Sequence, residues 1–289
     1  MPRLADWFAL VRFTHTLFAL PFALIALLAA TGGRPSPRLL VLVVLCAVAA
    51  RTAAMAYNRF ADRDVDALNP RTAGREIPRG RISARGALLL AGIAGAVFVA
   101  VCAMIGRTCA LFAVPVLLWL CAYSHLKRFS ALCHLWLGAA LGLAPVAAWV
   151  AARDRAGAPL DLVAPVLLGA GVLFWVAGFD VLYAAQDEAV DRAHALHSIP
   201  SRFGARTALR FARLLHVLAT AAFAAFGVVA GLGYGHGTGV VLAAGLLWWQ
   251  HAGLRPDALA QLQPRFFFKN GLVSVAMLAA GAVDVYFGS

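Results

Sequence analysis

Two short segments of this chain carry acidic and amide side chains at helical spacing. Asn58, Asp62 and Asp66 follow one another every four residues. Asp187 and Asp191 lie 125 positions after Asp62 and Asp66 and repeat the same interval. Residues four apart lie on one face of an α-helix, where stacked carboxylates repel one another unless a cation binds between them. The spacing therefore predicts two cation-binding faces.

The chemistry suited to these faces is that of a hard metal ion and a phosphate group. Mg²⁺ prefers oxygen ligands, and proteins hold it with one or two carboxylates together with phosphate oxygens. Arginines surround both segments, and guanidinium groups bind phosphate through paired hydrogen bonds. Asp64 points away from the first face and is left out of the set. In the second segment, Asp180, Asp187 and Asp191 fall within about 40° of one another around a helix and are expected to share a face. Acidic side chains that can bind a metal ion, together with basic side chains that can bind phosphate, indicate a lipid diphosphate as the ligand.

The competing interpretation of an acidic cluster at the end of an apolar run is a solvated helix face. Two clusters at matched spacing argue against it, because together they hold 8 of the 13 acidic residues. The eight residues are Asp62, Asp64, Asp66, Glu76, Asp180, Asp187, Glu188 and Asp191.

The elements that position these segments are predicted to be membrane-spanning helices. Of the 289 residues, 62% are hydrophobic and only 13% are charged, whereas a soluble domain has about a quarter charged residues. Mean hydropathy is +0.81. The net charge of +12 does not indicate nucleic-acid binding, because the basic residues lie in loops between apolar runs. We therefore expect an all-α polytopic membrane protein embedded in the lipid bilayer.

Nine apolar runs have the length needed to cross a membrane. The sequence defines the number of spans only to within one, because Gly106 and Arg107 alone separate two of the runs and the eighth run is short. The runs lie near residues 13–31, 38–57, 86–105, 108–124, 131–151, 162–183, 209–232, 238–254 and 267–287.

Loop charge predicts the orientation of these spans. With a cytoplasmic N-terminus, 19 Lys and Arg residues face the cytoplasm (2, 7, 2, 5 and 3 in successive segments) and 5 face the other side. Cytoplasmic loops of membrane proteins are enriched in these residues. The expected location is the cell (inner) membrane, with both acidic segments at the cytoplasmic face.

The matched positions of the two acidic segments also suggest an internal repeat. A single transmembrane domain spanning 1–289, built from four-span pseudo-repeats 1–130 and 131–255 plus a ninth span, would produce the offset of 125. Sites in membrane proteins of this kind commonly form where the repeats meet.

The residues of the two segments resemble a known family. Asn58–Asp66, followed by NPRTAGREIPRG at 69–80, resembles the first signature of the UbiA superfamily of intramembrane aromatic prenyltransferases. YAAQDEAVD at 183–191, followed by SIPSRFG at 198–204, resembles the second signature. The resemblance extends over the whole chain and implies the family's bundle of about nine transmembrane helices.

A third motif and two longer stretches narrow the resemblance. YSHLKR at 123–128 is similar to the family's Tyr-Pro-x-x-Lys-Arg loop, with Ser124 in place of the proline. HTLFALPFAL at 15–24 and RTAAMAYN at 51–58 resemble the 4-hydroxybenzoate polyprenyltransferase-like subgroup. Some members of that subgroup act in the futalosine route to menaquinone on 1,4-dihydroxy-6-naphthoate. Arg59 departs from the Asp or Gln that many members carry, which removes an acid from the first motif.

The resemblance implies Mg²⁺-dependent transfer of a polyprenyl group from polyprenyl diphosphate to a hydroxylated aromatic acid, in ubiquinone or menaquinone biosynthesis. No protein partner can be inferred from it. By matching position, one Mg²⁺ is held by Asn58, Asp62 and Asp66, and the other by Asp187 and Asp191. The diphosphate is contacted by Lys127, with Arg75 and Arg128 as further candidates, while Tyr183 and Asp180 lie deeper, near the ring and the allylic cation.

Three polar residues near the predicted spans have open roles. Arg51 lies inside a span, where an arginine is usually functional or paired. It is expected either to contact a substrate, through the acceptor carboxylate or the diphosphate, or to pair with an acid. His15 is expected to be structural, and Asn270 to bond between helices.

Two other functions are compatible with parts of the sequence. A membrane terpenoid synthase would use the same aspartates on an isoprenyl diphosphate without an aromatic acceptor. A transporter would require paired acids near the middle of the membrane, whereas the acids of this chain lie mainly at helix ends. Prenyl transfer is the function that the sequence favours.

Overall fold

The fold consists of helices joined mostly by short loops, in a computed structural model that describes residues 3–12, 18–261 and 265–287. Among these residues there is no β-strand, which confirms the predicted all-α fold. The helices are α1 (Leu4–Val11), α2 (Leu20–Ala30), α3 (Pro37–Ala61), α4 (Arg63–Leu68), α5 (Ala84–Ile105), α6 (Arg107–Leu126), α7 (Cys133–Ala156), α8 (Val163–Ala184), α9 (Glu188–Ala193), α10 (Ile199–Val229), α11 (Tyr234–His251) and α12 (Arg265–Phe287).

Each predicted span coincides with a long or apolar helix. Seven stretches of the described chain are long and apolar enough to cross a membrane. The shorter apolar helix α2 and the 18-residue helix α11 occupy the remaining two predicted positions. The protein is therefore a multi-pass membrane protein, while the count of nine and the orientation stay predictions. His15 lies outside the described residues.

Helix α8 lies at the centre of the bundle, packed between α7 and α10. Its side chains Leu168, Val172 and Trp175 are fully buried. The Trp175 indole donates a hydrogen bond of 3.2 Å to Asn270 Oδ1 on α12, which confirms that Asn270 bonds between helices. This arrangement fixes the end of α8, from which the second acidic segment continues.

Helices α7 and α8 approach closely because glycines lie at their contact. A Cβ atom added to Gly138 would lie 2.3 Å from the carbonyl oxygen of Leu173. Gly142 and Gly169 meet in the same way, each against the backbone of the other. Small residues four apart allow such close backbone packing in membrane helices. The start of α7 is thereby held beside the end of α8.

Both acidic segments are built on the same plan. The long helix α3 is followed by the six-residue helix α4, and the long helix α8 is followed, after a short 3₁₀ turn, by the six-residue helix α9. The two short helices begin and end at positions 125 apart, directly after Asp62 and Asp187. This match supports the proposal of an internal repeat.

Candidate active site

The first acidic segment spans a break between two helices. Helix α3 ends before Asp62, whose φ and ψ are −94° and 1°, so the segment is not one continuous helix. The helical register nevertheless continues, because Asp62 N bonds Asn58 O at 2.9 Å and Asp66 N bonds Asp62 O at 2.8 Å. The Asp66 side chain is buried, whereas the Asp64 side chain is 80% exposed. Asp64 therefore lies outside the set, as the spacing predicted.

Asn58 and Asp62 form the outer part of this segment. Asn58 Nδ2 donates to Asp62 Oδ2 at 2.8 Å and lies 3.3 Å from Ser124 Oγ. The guanidinium of Arg128 approaches Asp62 at 3.9 Å. Burial and then the neighbouring charge of Asp66 raise the pKa of Asp62 to about 6. This carboxylate is therefore poorly compensated by the protein and ready to accept a cation.

Asp66 is held by Arg75. Arg75 Nη1 donates to both carboxylate oxygens, at 2.6 and 2.7 Å. The loop that carries Arg75 is fixed at its start by Thr72, whose hydroxyl bonds Asp66 O at 3.0 Å. Arg75 Nε is buried, and the Nε–H of this guanidinium has no acceptor within the described residues.

The second acidic segment does not continue α8 as a regular helix. Helix α8 ends at Ala184, a 3₁₀ turn covers Ala185–Asp187, and α9 follows. The expectation that Asp180, Asp187 and Asp191 share a face is wrong for Asp180. Its carboxylate lies 2.7 Å from His134 Nδ1, while Asp187 and Asp191 are buried against other partners. The 3₁₀ turn changes the register between them.

Arg71 joins the two acidic segments. Its Nε and Nη2 donate to the two oxygens of Asp187 at 2.8 and 2.5 Å, and its Nη1 donates to the Tyr183 hydroxyl at 2.6 Å. Asn69 Nδ2 also donates to Asp187, at 2.8 Å. Burial alone would lower the pKa of Arg71, but the hydrogen bonds and charge of Asp187 outweigh it and raise the pKa. The first motif therefore supplies the cation that neutralises the second.

Lys127 neutralises Asp191. The ammonium group lies 2.7 Å from Asp191 Oδ1, and Ser198 Oγ donates to Asp191 Oδ2 at 2.9 Å. The Lys127 carbonyl accepts a bond of 2.7 Å from the His197 amide, which ties the Lys-Arg loop to the second segment. Burial lowers the pKa of Lys127, and Asp191 reverses this so that the pKa is raised. Lys127 is therefore cationic and oriented.

Arg51 and Arg59 lie apart from this network. Arg51 Nη2 is 3.5 Å from the Arg12 carbonyl, and its buried Nε has no partner among the described residues. Arg59 is 4% exposed, and its Nε donates to the Leu10 carbonyl at 3.2 Å. Neither has a carboxylate within 4 Å in the described chain. The interpretation of Arg51 as partner of an acid is thereby wrong for the described residues.

Sequence reasoning missed four residues that contact the aspartates. Asn69, Arg71 and Ser198 lie in stretches that carry the family resemblance, but no spacing rule assigned them a partner. His134 follows no motif, and its contact with Asp180 was not foreseen. The four residues have one feature in common that the sequence shows. Each is a polar side chain that lies either at the start of an otherwise apolar helix or in a loop near the acidic residues.

The residues fit a hard cation by their chemistry. In the described chain, no group of three His, Cys, Asp or Glu side chains is arranged to hold a metal ion. Arg75, Arg71 and Lys127 instead occupy the carboxylate oxygens. All the predicted ligand atoms are carboxylate or amide oxygens, which suit Mg²⁺.

Comparison with known proteins shows which family model and which relatives this chain matches. The model of the UbiA prenyltransferase family matches residues 19–272. The 4-hydroxybenzoate octaprenyltransferase of Vibrio cholerae is 32% identical over 264 residues, covering 90% of this chain and 89% of that protein. That of Aromatoleum aromaticum is 28% identical over 259 residues, covering 90% and 86%.

Solved structures show the same fold. A UbiA homolog from Aeropyrum pernix K1, in its apo form, has a TM-score of 0.85 and 34% identity, covering 94% of this chain and 98% of the other. A UbiA homolog from Archaeoglobus fulgidus bound to DMAPP and Mg²⁺ has a TM-score of 0.70 at 21% identity, covering 98% and 99%. The second comparison concerns the fold alone.

Proposed function

Since this chain belongs to the UbiA prenyltransferase family and is a prenyltransferase of the membrane, we propose that it transfers a polyprenyl group to a hydroxylated aromatic acid. The donor is a polyprenyl diphosphate, the reaction depends on Mg²⁺, and the product enters quinone biosynthesis. The observation that carries the proposal is the contact of Arg71 with Asp187, because it unites both acidic segments with the basic residues in one site.

We propose that the acidic side chains of the site hold Mg²⁺ and that the basic side chains bind the diphosphate of the donor. Bound Mg²⁺ would stabilise the negative charge that develops on the diphosphate. Asn58, Asp62 and Asp66 are proposed to hold one ion, with Asp187 and Asp191 holding the other. The basic residues that now neutralise these acids, Arg71, Arg75 and Lys127, are then released to bind the diphosphate oxygens. Arg128 contributes positive charge beside Asp62.

The aromatic acceptor is proposed to be 4-hydroxybenzoate or 1,4-dihydroxy-6-naphthoate. The relatives, which are 4-hydroxybenzoate octaprenyltransferases, favour the first, and the sequence resemblance includes the second. Both carry a carboxylate and an electron-rich ring. Tyr183 and Asp180 lie on the last two turns of α8 and are proposed to face the ring and the allylic cation. The asymmetry of loop charge supports a site open to the cytoplasm at the inner membrane.

Purified protein in vesicles is expected to form a prenylated aromatic acid from labelled polyprenyl diphosphate and Mg²⁺. The measurement compares 4-hydroxybenzoate with 1,4-dihydroxy-6-naphthoate in parallel, with EDTA as the control. Activity should disappear in EDTA and return with added Mg²⁺. Full activity in EDTA, or diphosphate release with no aromatic product, would contradict the proposal. The latter outcome would indicate a terpenoid synthase.

Arg51 is proposed to bind the acceptor carboxylate, because it is a guanidinium without a described anionic partner. The change Arg51→Met is expected to raise KM for the aromatic acid by about 10–100-fold, the value of a charged hydrogen bond. The KM for the polyprenyl diphosphate should stay unchanged. Arg51→Lys keeps the charge and should recover part of the affinity. If Arg51→Met leaves the acceptor KM unchanged, this role is excluded.

A further inference from the structure

A histidine and an aspartate form a pair beside the two acidic segments. His134 Nδ1 lies 2.7 Å from Asp180 Oδ2. His134 is the second residue of α7, and Asp180 lies four residues before the end of α8. The side chains are 3% and 17% exposed, respectively. The close packing of α7 on α8 therefore holds a titratable pair about two helical turns before Asp187 along the chain.

The backbone amide of Ile199 fixes the tautomer of His134. Ile199 is the first residue of α10, so its N–H has no acceptor within the helix. It points to His134 Nε2 at 3.3 Å. Because an amide N–H can only donate, Nε2 carries the lone pair and the ring proton is on Nδ1. His134 is therefore a neutral donor to Asp180 Oδ2. Within the described residues, Asp180 Oδ1 has no hydrogen-bond partner.

The position of Asp180 on α8 brings it near the second acidic segment. Tyr183 lies three residues further on α8 and shares Arg71 with Asp187. Asp180 is thus placed beside the proposed reaction centre but is not part of the cation-binding set.

We propose that His134 is a positioning residue that fixes Asp180 as the acceptor of the proton lost from the aromatic ring. This inference rests on the proposed prenyl transfer. A neutral histidine suits the role, because it supplies one directed hydrogen bond and leaves the negative charge of Asp180 in place. A hydrogen bond of this kind orients a general base in the way that an outer partner orients a ligand.

In the proposed reaction, the allylic group is transferred to the ring, and the ring then loses a proton to Asp180. The C–O bond of the allylic diphosphate breaks, and its electron pair leaves with the diphosphate. An electron pair of the ring forms the new C–C bond to the allylic carbon. The C–H bond at that ring carbon then breaks, its electron pair restores aromaticity, and the proton moves to Asp180 Oδ1. Water or the released diphosphate takes the proton from Asp180 before the next turnover.

Two substitutions at position 134 separate positioning from a purely structural role. In His134→Asn, the amide nitrogen replaces Nδ1 and keeps the donor to Asp180. In His134→Gln, the carbonyl oxygen reaches the place of Nε2 and keeps the acceptor for the Ile199 amide. We expect the asparagine variant to keep most of its kcat and the glutamine variant to lose about 10–100-fold. The KM for polyprenyl diphosphate should change in neither.

An acceptor deuterated at the reacting ring carbon supplies the second measurement. In the wild type, rearomatisation is expected to be fast, and deuteration should leave kcat unchanged. In His134→Gln, a normal isotope effect should appear because proton removal becomes slow. Asp180→Asn, which leaves His134 intact, should show the same isotope effect and a loss of about 10²–10⁴-fold in kcat. Thermal unfolding in detergent checks that each variant is folded.

The outcomes distinguish failure of the proposed role of His134 and Asp180 from failure of the prenyl transfer on which that role rests. A glutamine variant that is more active than the asparagine variant would make His134 a structural cap of α10 and would overturn the proposal. Loss of activity without an isotope effect in both His134→Gln and Asp180→Asn would also overturn it. In these cases the wild type still prenylates the acceptor. A wild type that prenylates neither acceptor would overturn the proposed function itself.

Discussion

Replacing Asp187 with asparagine is expected to lower kcat on the order of 10³-fold or more, since it removes charge that stabilises the departing diphosphate. Asp187 connects the second acidic segment to the loop after α4, because Asn69 and Arg71 of that loop both donate hydrogen bonds to its carboxylate. The asparagine keeps the size of the side chain but cannot hold a divalent ion as a carboxylate does. The measurement is kcat in vesicles under saturating donor, acceptor and Mg²⁺.

The matched control for this change is Asp64→Asn. Asp64 lies in the first acidic segment, but its side chain is 80% exposed, and its one ion pair within the described residues is with Arg63, at 3.4 Å. Its replacement should leave kcat close to the wild-type value. The Arg71 side chain is 28% exposed, so water can solvate it in Asp187→Asn, and the variant should remain folded in the membrane. Equal loss of kcat in the two variants would show that net acidity, rather than position, is what matters.

Arg71→Gln is expected to lower kcat by about 10²–10³-fold, the effect of losing a donor that stabilises transition-state charge. The free chain uses this guanidinium to neutralise Asp187 and to bond the Tyr183 hydroxyl. We infer that the same group contacts the diphosphate once a divalent ion replaces it at Asp187. The KM for polyprenyl diphosphate should therefore rise together with the loss of kcat. Arg71→Lys should recover only part, because an ammonium lacks the planar paired donors.

A double variant tests whether Arg71 and Asp187 act as one unit. Residues in direct contact show non-additive effects, so Arg71→Gln combined with Asp187→Asn should be little worse than Asp187→Asn alone. Arg85→Gln is the control, because Arg85 is exposed near the start of α5. If Arg71→Gln were as active as Arg85→Gln, the guanidinium would serve only the ligand-free chain, and its proposed contact with the diphosphate would be wrong.

The sequence predicted the features of the site that depend on local spacing. Asn58, Asp62 and Asp66 stay in helical register because hydrogen bonds four residues apart continue through the break at Asp62. The exclusion of Asp64 follows from the same geometry. The break itself was not predicted, since no proline or glycine marks it in the sequence. The 3₁₀ turn before Asp187 was missed for the same reason and separated Asp180 from its expected neighbours.

Pairings between distant segments could not be predicted in this way. Arg71 and Asp187 are separated by 116 positions, and His134 and Asp180 by 46. Many arginines lie near the acids, and spacing along the chain gives no reason to choose Arg71 over its neighbours. The structure decides the choice through the path of the loop after α4, which Asn69 and Thr72 hold against the acidic segments.

The sequence alone thus determined the helical membrane architecture, the two acidic faces and the family to which their motifs point. Composition and helical periodicity are local properties, and the bilayer requires helices to satisfy their own backbone hydrogen bonds. The tertiary structure alone decided which base neutralises each acid and that His134 lies against Asp180. These contacts depend on helix packing, such as the glycine contact of α7 with α8, because packing brings together side chains that no local periodicity relates.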